Sequence, residues 1–129
     1  MKFVRGYCTH QKFGSFRIPV PLQNIILRDF AKKNKFGFKL STNEFYFENC
    51  YMQLLRLVNV SIEEKIHGIV MMSYTMLPKN RTDLISIVKE LMINNINLYF
   101  IIENLKIENE SHFKEFINII NLKSEIKIS

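Results

Sequence analysis

Two carboxylates and a group of hydroxyl, guanidinium and amide side chains stand where apolar runs of the chain give way to polar ones. Glu103 closes the run Leu98 to Ile102, and Glu44 ends the polar stretch Ser41-Thr42-Asn43-Glu44. Ser73 and Tyr74 follow the run Ile66 to Met72. In roles matched to their chemistry, Glu44 or Glu103 would serve as acid or base, with Ser73 and Tyr74 beside them as the other catalytic candidates. Arg5, Arg17 and Arg81 would hold an anion, because a planar guanidinium fork pairs well with phosphate or carboxylate. Tyr7, His10 and Gln23 complete the candidate binding set. Each has a plainer reading too. A loop carboxylate is commonly only solvated, a serine after a strand commonly caps a turn, and a tyrosine at a rim packs its ring and bonds through its hydroxyl. Cys8 reads as a small core residue. His10, His67 and His112 match no metal spacing, so no metal is expected. The chain has no Walker loop, no GxGxxG and no GxSxG, and no cofactor is expected.

Charge is unevenly placed. The formal net charge is +6 over 129 residues. Residues 1–40 carry nine Lys and Arg against Asp29 alone, so the positive field lies in the first third. Such a field attracts phosphate, nucleotide, nucleic acid or an acidic sugar; the plainer reading is a solvated basic face. With 47% hydrophobic residues and 23% charged, the chain can bury a core, and its length suits one domain over 1–129. No stretch reaches the ~18 apolar residues of a membrane helix. Met1-Lys2-Phe3-Val4-Arg5-Gly6 meets charge and glycine too early for a signal-peptide core. Cys8 and Cys50 form no CxxC pair, and two free thiols in a reducing compartment is the simpler reading. The expectation is a cytoplasmic protein.

The elements that must position these residues alternate. Phe3 to Cys8 reads as a strand. Pro19 and Pro21 announce a helix with Leu22, Ile25, Ile26 and Phe30 on its core face and Gln23, Asn24 and Arg28 off it. Phe36 to Leu40 is a second strand, followed by the polar turn at 41–44. Cys50 to Val60 reads as a helix and Ile66 to Met72 as a strand buried on both faces. Arg81 to Ile93 is an amphipathic helix, Leu98 to Ile102 a strand, and His112 to Leu122 a last helix. Ile126 to Ser129 is either a fifth edge strand or a frayed end. This order predicts an α/β fold: one three-layer domain with a four- to five-stranded, mainly parallel sheet of resolvase-like or flavodoxin-like order. In open parallel sheets ligands bind outside the carboxyl ends of the strands, which places the polar residues above on one rim.

Two resemblances follow. Arg5-Gly6-Tyr7 ending the first strand, Gln23, and the unit running from Leu77 and Arg81 to the strand closed by Glu103 resemble the catalytic domain of serine recombinases. That family has a serine nucleophile a few residues after the first-strand tyrosine, where this chain has Thr9, His10 and Gln11; Ser15 lies deeper in the loop. The chain also resembles the sporadic carbohydrate cluster proteins of bacterial surface-polysaccharide gene clusters. The stretches concerned are Arg5-Gly6-Tyr7, Phe13 with Arg17-Ile18-Pro19, Leu22-Gln23-Asn24 with Arg28-Asp29-Phe30, Leu40-Ser41 with Glu44, Cys50-Tyr51-Met52, Gly68-Ile69-Val70 with Ser73, Leu77-Pro78 and Glu103. This second resemblance implies a role in O-antigen, lipopolysaccharide or capsule biosynthesis, with an anionic sugar or sugar nucleotide as small-molecule partner.

Three functions are therefore weighed. The leading expectation is a protein acting on or binding an activated or acidic sugar at the strand ends. The second is a recombinase-like nucleic-acid-binding domain without the usual serine, which the missing nucleophile disfavours. The third is a non-catalytic partner subunit of a sugar-modifying enzyme from the same gene cluster. Whether the chain is an enzyme, and whether it associates with further copies of itself, stay open.

Overall fold

A computed structural model describes residues 1–12, 17–44 and 51–128, with side chains as far as Leu122. The elements are β1 (Phe3–Thr9), α1 (Val20–Lys33), β2 (Gly37–Glu44), α2 (Met52–Glu64), β3 (Gly68–Met71), a single 3-10 turn (Tyr74–Met76), α3 (Arg81–Ile93), β4 (Asn97–Phe100), β5 (Leu105–Ile107) and α4 (Glu110–Ile128). Phe13, Ser15 and Cys50 lie outside the described residues.

The sheet order is β2-β1-β3-β4-β5. The first four strands are parallel and β5 is antiparallel to β4. The chain runs outward from β1 to β2, then returns past β1 to β3, so the switch in direction lies between β1 and β3. Registration assigns the faces. Gly6, Val70 and Tyr99 lie side by side and point toward α1. A Cβ on Gly6 would come within 2.7 Å of the Ser41 hydroxyl and 2.8 Å of the Phe38 ring, so glycine lets that face close. Tyr7, Met71 and Phe100 line up on the other face. There Tyr7 reaches α2 through Glu44, α3 packs beside α2, and Phe116 of α4 stacks on Phe100 at 5.7 Å. Among the described elements, α1 alone covers the first face.

Helices α1, α2 and α3 end alike and without glycine. Lys35, Lys65 and Asn95 take left-handed backbone angles, with φ of 60°, 53° and 59°. The next residue then donates back five positions: Phe36 to Ala31, Ile66 to Ser61, and Ile96 to Leu91. This is the Schellman arrangement, which satisfies carbonyls that the last turn leaves open and aims the chain into the following strand.

The fold class, the parallel sheet and most elements match the expectation, and four local readings need correction. Ser41 to Glu44 is strand, not turn. After a register shift between Arg5 and Tyr7, Thr42, Asn43 and Glu44 pair with Tyr7, Cys8 and Thr9. An edge strand tolerates such polar residues because one of its sides faces water. The core face of α1 is rotated: Leu22 and Ile25 are 46% and 64% exposed, while Gln23 is fully buried beside Leu27 and Ala31. The fifth strand is Leu105–Ile107, a hairpin off β4 across a turn in which Asn104 has φ 52°. Residues 126–128 instead continue α4. Finally, α2 spans Met52–Glu64, beyond the expected end at Val60.

Candidate functional site

The C-terminal ends of β1 to β4 carry most of the expected residues, but the two carboxylates face inward. Glu44 is 1% exposed. Its Oε2 accepts the Tyr7 hydroxyl at 2.9 Å, the Gln53 amide at 3.1 Å and the Leu54 amide at 3.0 Å. A carboxylate at the first turn of a helix satisfies open N–H groups and opposes the positive end of the helix dipole. Glu44 thus anchors α2 to β1 and β2. Tyr51, just before α2, bonds the backbone of Lys79. Burial raises the Tyr51 pKa above the ordinary phenol range, the Lys79 bond opposes the rise and the Glu44 charge adds to it.

Glu103, beyond β4 and half-buried, closes a second cluster. Its Oε2 accepts the Ser73 hydroxyl at 2.5 Å and its Oε1 accepts the Tyr74 amide at 3.3 Å. Ser73, 2% exposed, also accepts the Thr75 amide at 3.1 Å and so caps the 3-10 turn. The Tyr74 ring packs edge-on against Phe100 and Phe116 at 6.3 and 5.7 Å. These bonds fix the loop after β3 to the loop after β4.

Gln23 is a clamp. Its carboxamide takes the Thr9 amide at 3.1 Å and donates to the Thr9 and Ile18 carbonyls, both at 2.7 Å. The two ends of the first loop are thereby held by one buried side chain from α1. Thr9 itself is 2% exposed, and its hydroxyl accepts the Gln11 amide at 3.1 Å. Cys8, a free thiol, lies against Asn24, with Sγ 3.8 Å from Oδ1. Burial pushes the thiol pKa up to about 11, and a bond from Ser41 offsets part of the rise. A protonated buried thiol is a poor nucleophile.

Arg5 departs from the expected group. It leaves the middle of β1 toward the C-terminal end of α2 and pairs there with Glu64, which also holds Lys39 at 2.5 Å. That end of α2 is opposite the rim, because α2 runs back along the sheet. The Lys39 and Arg5 bonds lower the Glu64 pKa below the usual carboxylate range.

What the rim turns outward is basic. His10 and Lys12 follow β1, Arg17 precedes α1, and Lys79 and Arg81 lead into α3; all five are exposed. Asp83, in the first turn of α3, is the exposed acid beside them. Lys12 and Lys79 were absent from the expected set. Their signal was their place, since Lys12 stands three residues after β1 and Lys79 two residues before α3. Among the described residues no group of three His, Cys, Asp or Glu side chains gathers as a metal site would require, and no described helix is long and apolar enough to cross a membrane.

Solved structures decide the architecture. The N-terminal catalytic domain of TP901-1 integrase superposes with a TM-score of 0.75 at 17% identity, over 98% of this chain and 96% of that one. A resolvase family site-specific recombinase from Streptococcus pneumoniae gives 0.74 at 13% identity, over 99% and 92%. The fold is resolvase-like. No family model matches the chain, and no curated protein does. The expectation of surface-carbohydrate biosynthesis is therefore overturned: the neighbours are recombinase catalytic domains, and the resemblance to the carbohydrate cluster family gains no support from any comparison. At these identities the likeness is one of fold.

Proposed function

We propose that this resolvase-like chain is a nucleic-acid-binding domain that contacts the phosphate backbone across the rim at the C-terminal ends of β1 and β3, without a covalent serine step. The observation that carries this reading is the sorting of charge at the rim. Lys12, Arg17, Lys79 and Arg81 are exposed, whereas the carboxyl oxygens of Glu44 and Glu103 are taken up by Tyr7, Ser73 and backbone amides. A surface of this kind attracts phosphates, and the two carboxylates expected to act as acid or base are already engaged in hydrogen bonds. The hydroxyls near the switch point support the same reading. Thr9 and Ser73 are each 2% exposed and already hydrogen-bonded.

The test is fluorescence anisotropy with a labelled 20-base-pair duplex across a salt series. Binding should tighten steeply at low salt, and Arg17→Ala and Arg81→Ala should each reduce the slope of log K against log salt by about one. No covalent protein–DNA adduct should form. Absence of duplex binding at low salt refutes the reading.

A further inference from the structure

We propose a second binding site, for a nucleobase, in the groove between α1 and the β4–β5 hairpin. The groove has a volume of about 500 Å³ and contains none of the rim cations. It exists because α1 is the sole described helix on its face, so the sheet beyond β3 is left without a cover. Its floor is aromatic. Phe30 and Tyr99 have centroids 5.3 Å apart, Phe36 and Tyr99 5.8 Å, and Phe30 and Phe36 6.5 Å, with planes inclined by 43° to 50°. Phe30 and Phe36 are only half-buried, so ring surface faces the groove.

The floor is rigid. The Tyr99 hydroxyl donates to Glu108 at 3.0 Å and lies 3.0 Å from His67 Nε2, with Asn97 adding a bond at 3.3 Å. Tyr99 is itself only 5% exposed, so this fixed ring braces the half-buried Phe30 and Phe36 rings from beneath, and those two present a stacking surface that loses little side-chain freedom on binding. At the edges stand the carboxamides of Asn34 and Asn104, and the Lys106 ammonium, whose side chain is 58% exposed. Flat rings, amide groups that both donate and accept, and one reachable cation match a planar heterocycle with hydrogen-bonding edges and a phosphate. An organic cation fits less well. The Glu108 carboxylate already serves Tyr99 through one oxygen and Lys106, at 3.2 Å, through the other.

Two sources could supply the base, a free nucleotide or an unstacked base of a single strand. The experiment is amide-resonance NMR titration of the whole chain with adenosine 5′-monophosphate, adenosine and an eight-nucleotide single strand, beside inorganic phosphate and choline. The expected result is saturable shifts at Phe36, Tyr99 and Asn104 with at least one of the three base-bearing ligands. Shifts with the mononucleotide assign a free nucleotide, and shifts with the strand alone assign an unstacked base. Leu105→Trp, which fills the groove, and Asn104→Gly, which keeps the left-handed turn, should each weaken this binding about fivefold or more. Lys106→Ala should weaken the nucleotide relative to adenosine. Arg17→Ala and Arg81→Ala should leave mononucleotide shifts intact, so the groove and the rim can fail separately. Silence with all three base-bearing ligands, equal shifts from inorganic phosphate or choline, or undiminished binding by both Leu105→Trp and Asn104→Gly overturns the proposal.

Discussion

The Tyr7 hydroxyl lies 2.9 Å from Oε2 of Glu44, joining the interior strand β1 to the last residue of β2 and, through the Gln53 and Leu54 amides, to the first turn of α2. Removing the carboxylate takes the acceptor from three donors at once, two of them buried. Glu44→Ala should cost about 3 kcal/mol, and Tyr7→Phe about 1 kcal/mol. A double-mutant cycle read by urea denaturation should give a coupling of about 0.5 kcal/mol or more. Additive losses would mean that the contact carries no energy of its own.

Glu103 and Ser73 predict a separation of stability from binding. Ser73→Ala removes the hydroxyl that bonds Glu103 and caps the 3-10 turn, which should lower stability by about 1 to 2 kcal/mol. Duplex affinity, measured at a temperature where both proteins are folded, should stay within about twofold of the parent, because the outward cations are untouched. A large loss of DNA binding would assign this pair a direct part in it.

The helix ends offer stabilising changes. Lys35, Lys65 and Asn95 each hold a left-handed backbone conformation that costs a side-chain-bearing residue about 1 kcal/mol. Lys35→Gly and Lys65→Gly should each gain about 0.5 kcal/mol after glycine's own entropy is charged against them. Asn95→Gly should gain less, since asparagine tolerates this region better. Thermal melts of the three variants provide the comparison.

The groove network predicts two pH windows. Burial, aided by Lys2, holds the His67 pKa below its ordinary 6.5, with the Glu108 charge opposing. As pH falls through 6.5 the unfolded chain takes the proton first, so stability is full above that value and declines below it. The Tyr99 pKa is pushed up to about 12, chiefly by burial. The unfolded phenol ionises first, near 10, so stability holds below pH 10 and is lost as pH rises toward 12. Melting temperatures against pH should show both declines. His67→Gln should flatten the step just below 6.5, and Tyr99→Phe the alkaline one.

Much of the fold could be read from the chain because buried parallel strands such as Ile69-Val70-Met71 are continuous apolar runs, and α3 has a clean apolar stripe. The strand-end rule likewise brought Tyr7, Glu44, Ser73, Tyr74 and Glu103 to one end of the sheet. What it could not give was direction. Glu44 and Arg17 are both polar residues near strand ends, yet one is sealed under α2 and the other faces water, and only the packed helix decides which. Gln23 was placed off the core face of α1 for being polar, but three bonds to the first loop make its burial favourable. Arg5 was grouped with the rim by residue type, although its position within β1 sends it to the other end of α2. β5 escaped notice because the alternation Leu105-Lys106-Ile107 is only three residues long, too short to stand out as a strand, and the Asn104 turn that creates the hairpin needs no glycine.

The placement of β1 between β2 and β3 has a consequence for how the chain is made. Residues 3–9 are synthesised before the partners they need at 37–44 and 68–71. A growing chain on the ribosome can pair β1 with β2 early, but the side of Val4, Gly6 and Tyr7 that pairs with β3 stays open until more than half of these 129 residues have been joined. Until Met71 clears the exit tunnel, this apolar stretch is the natural target for a chaperone. Mutations that weaken β3 are expected to show first as lower yield, before any change in the finished protein is measured.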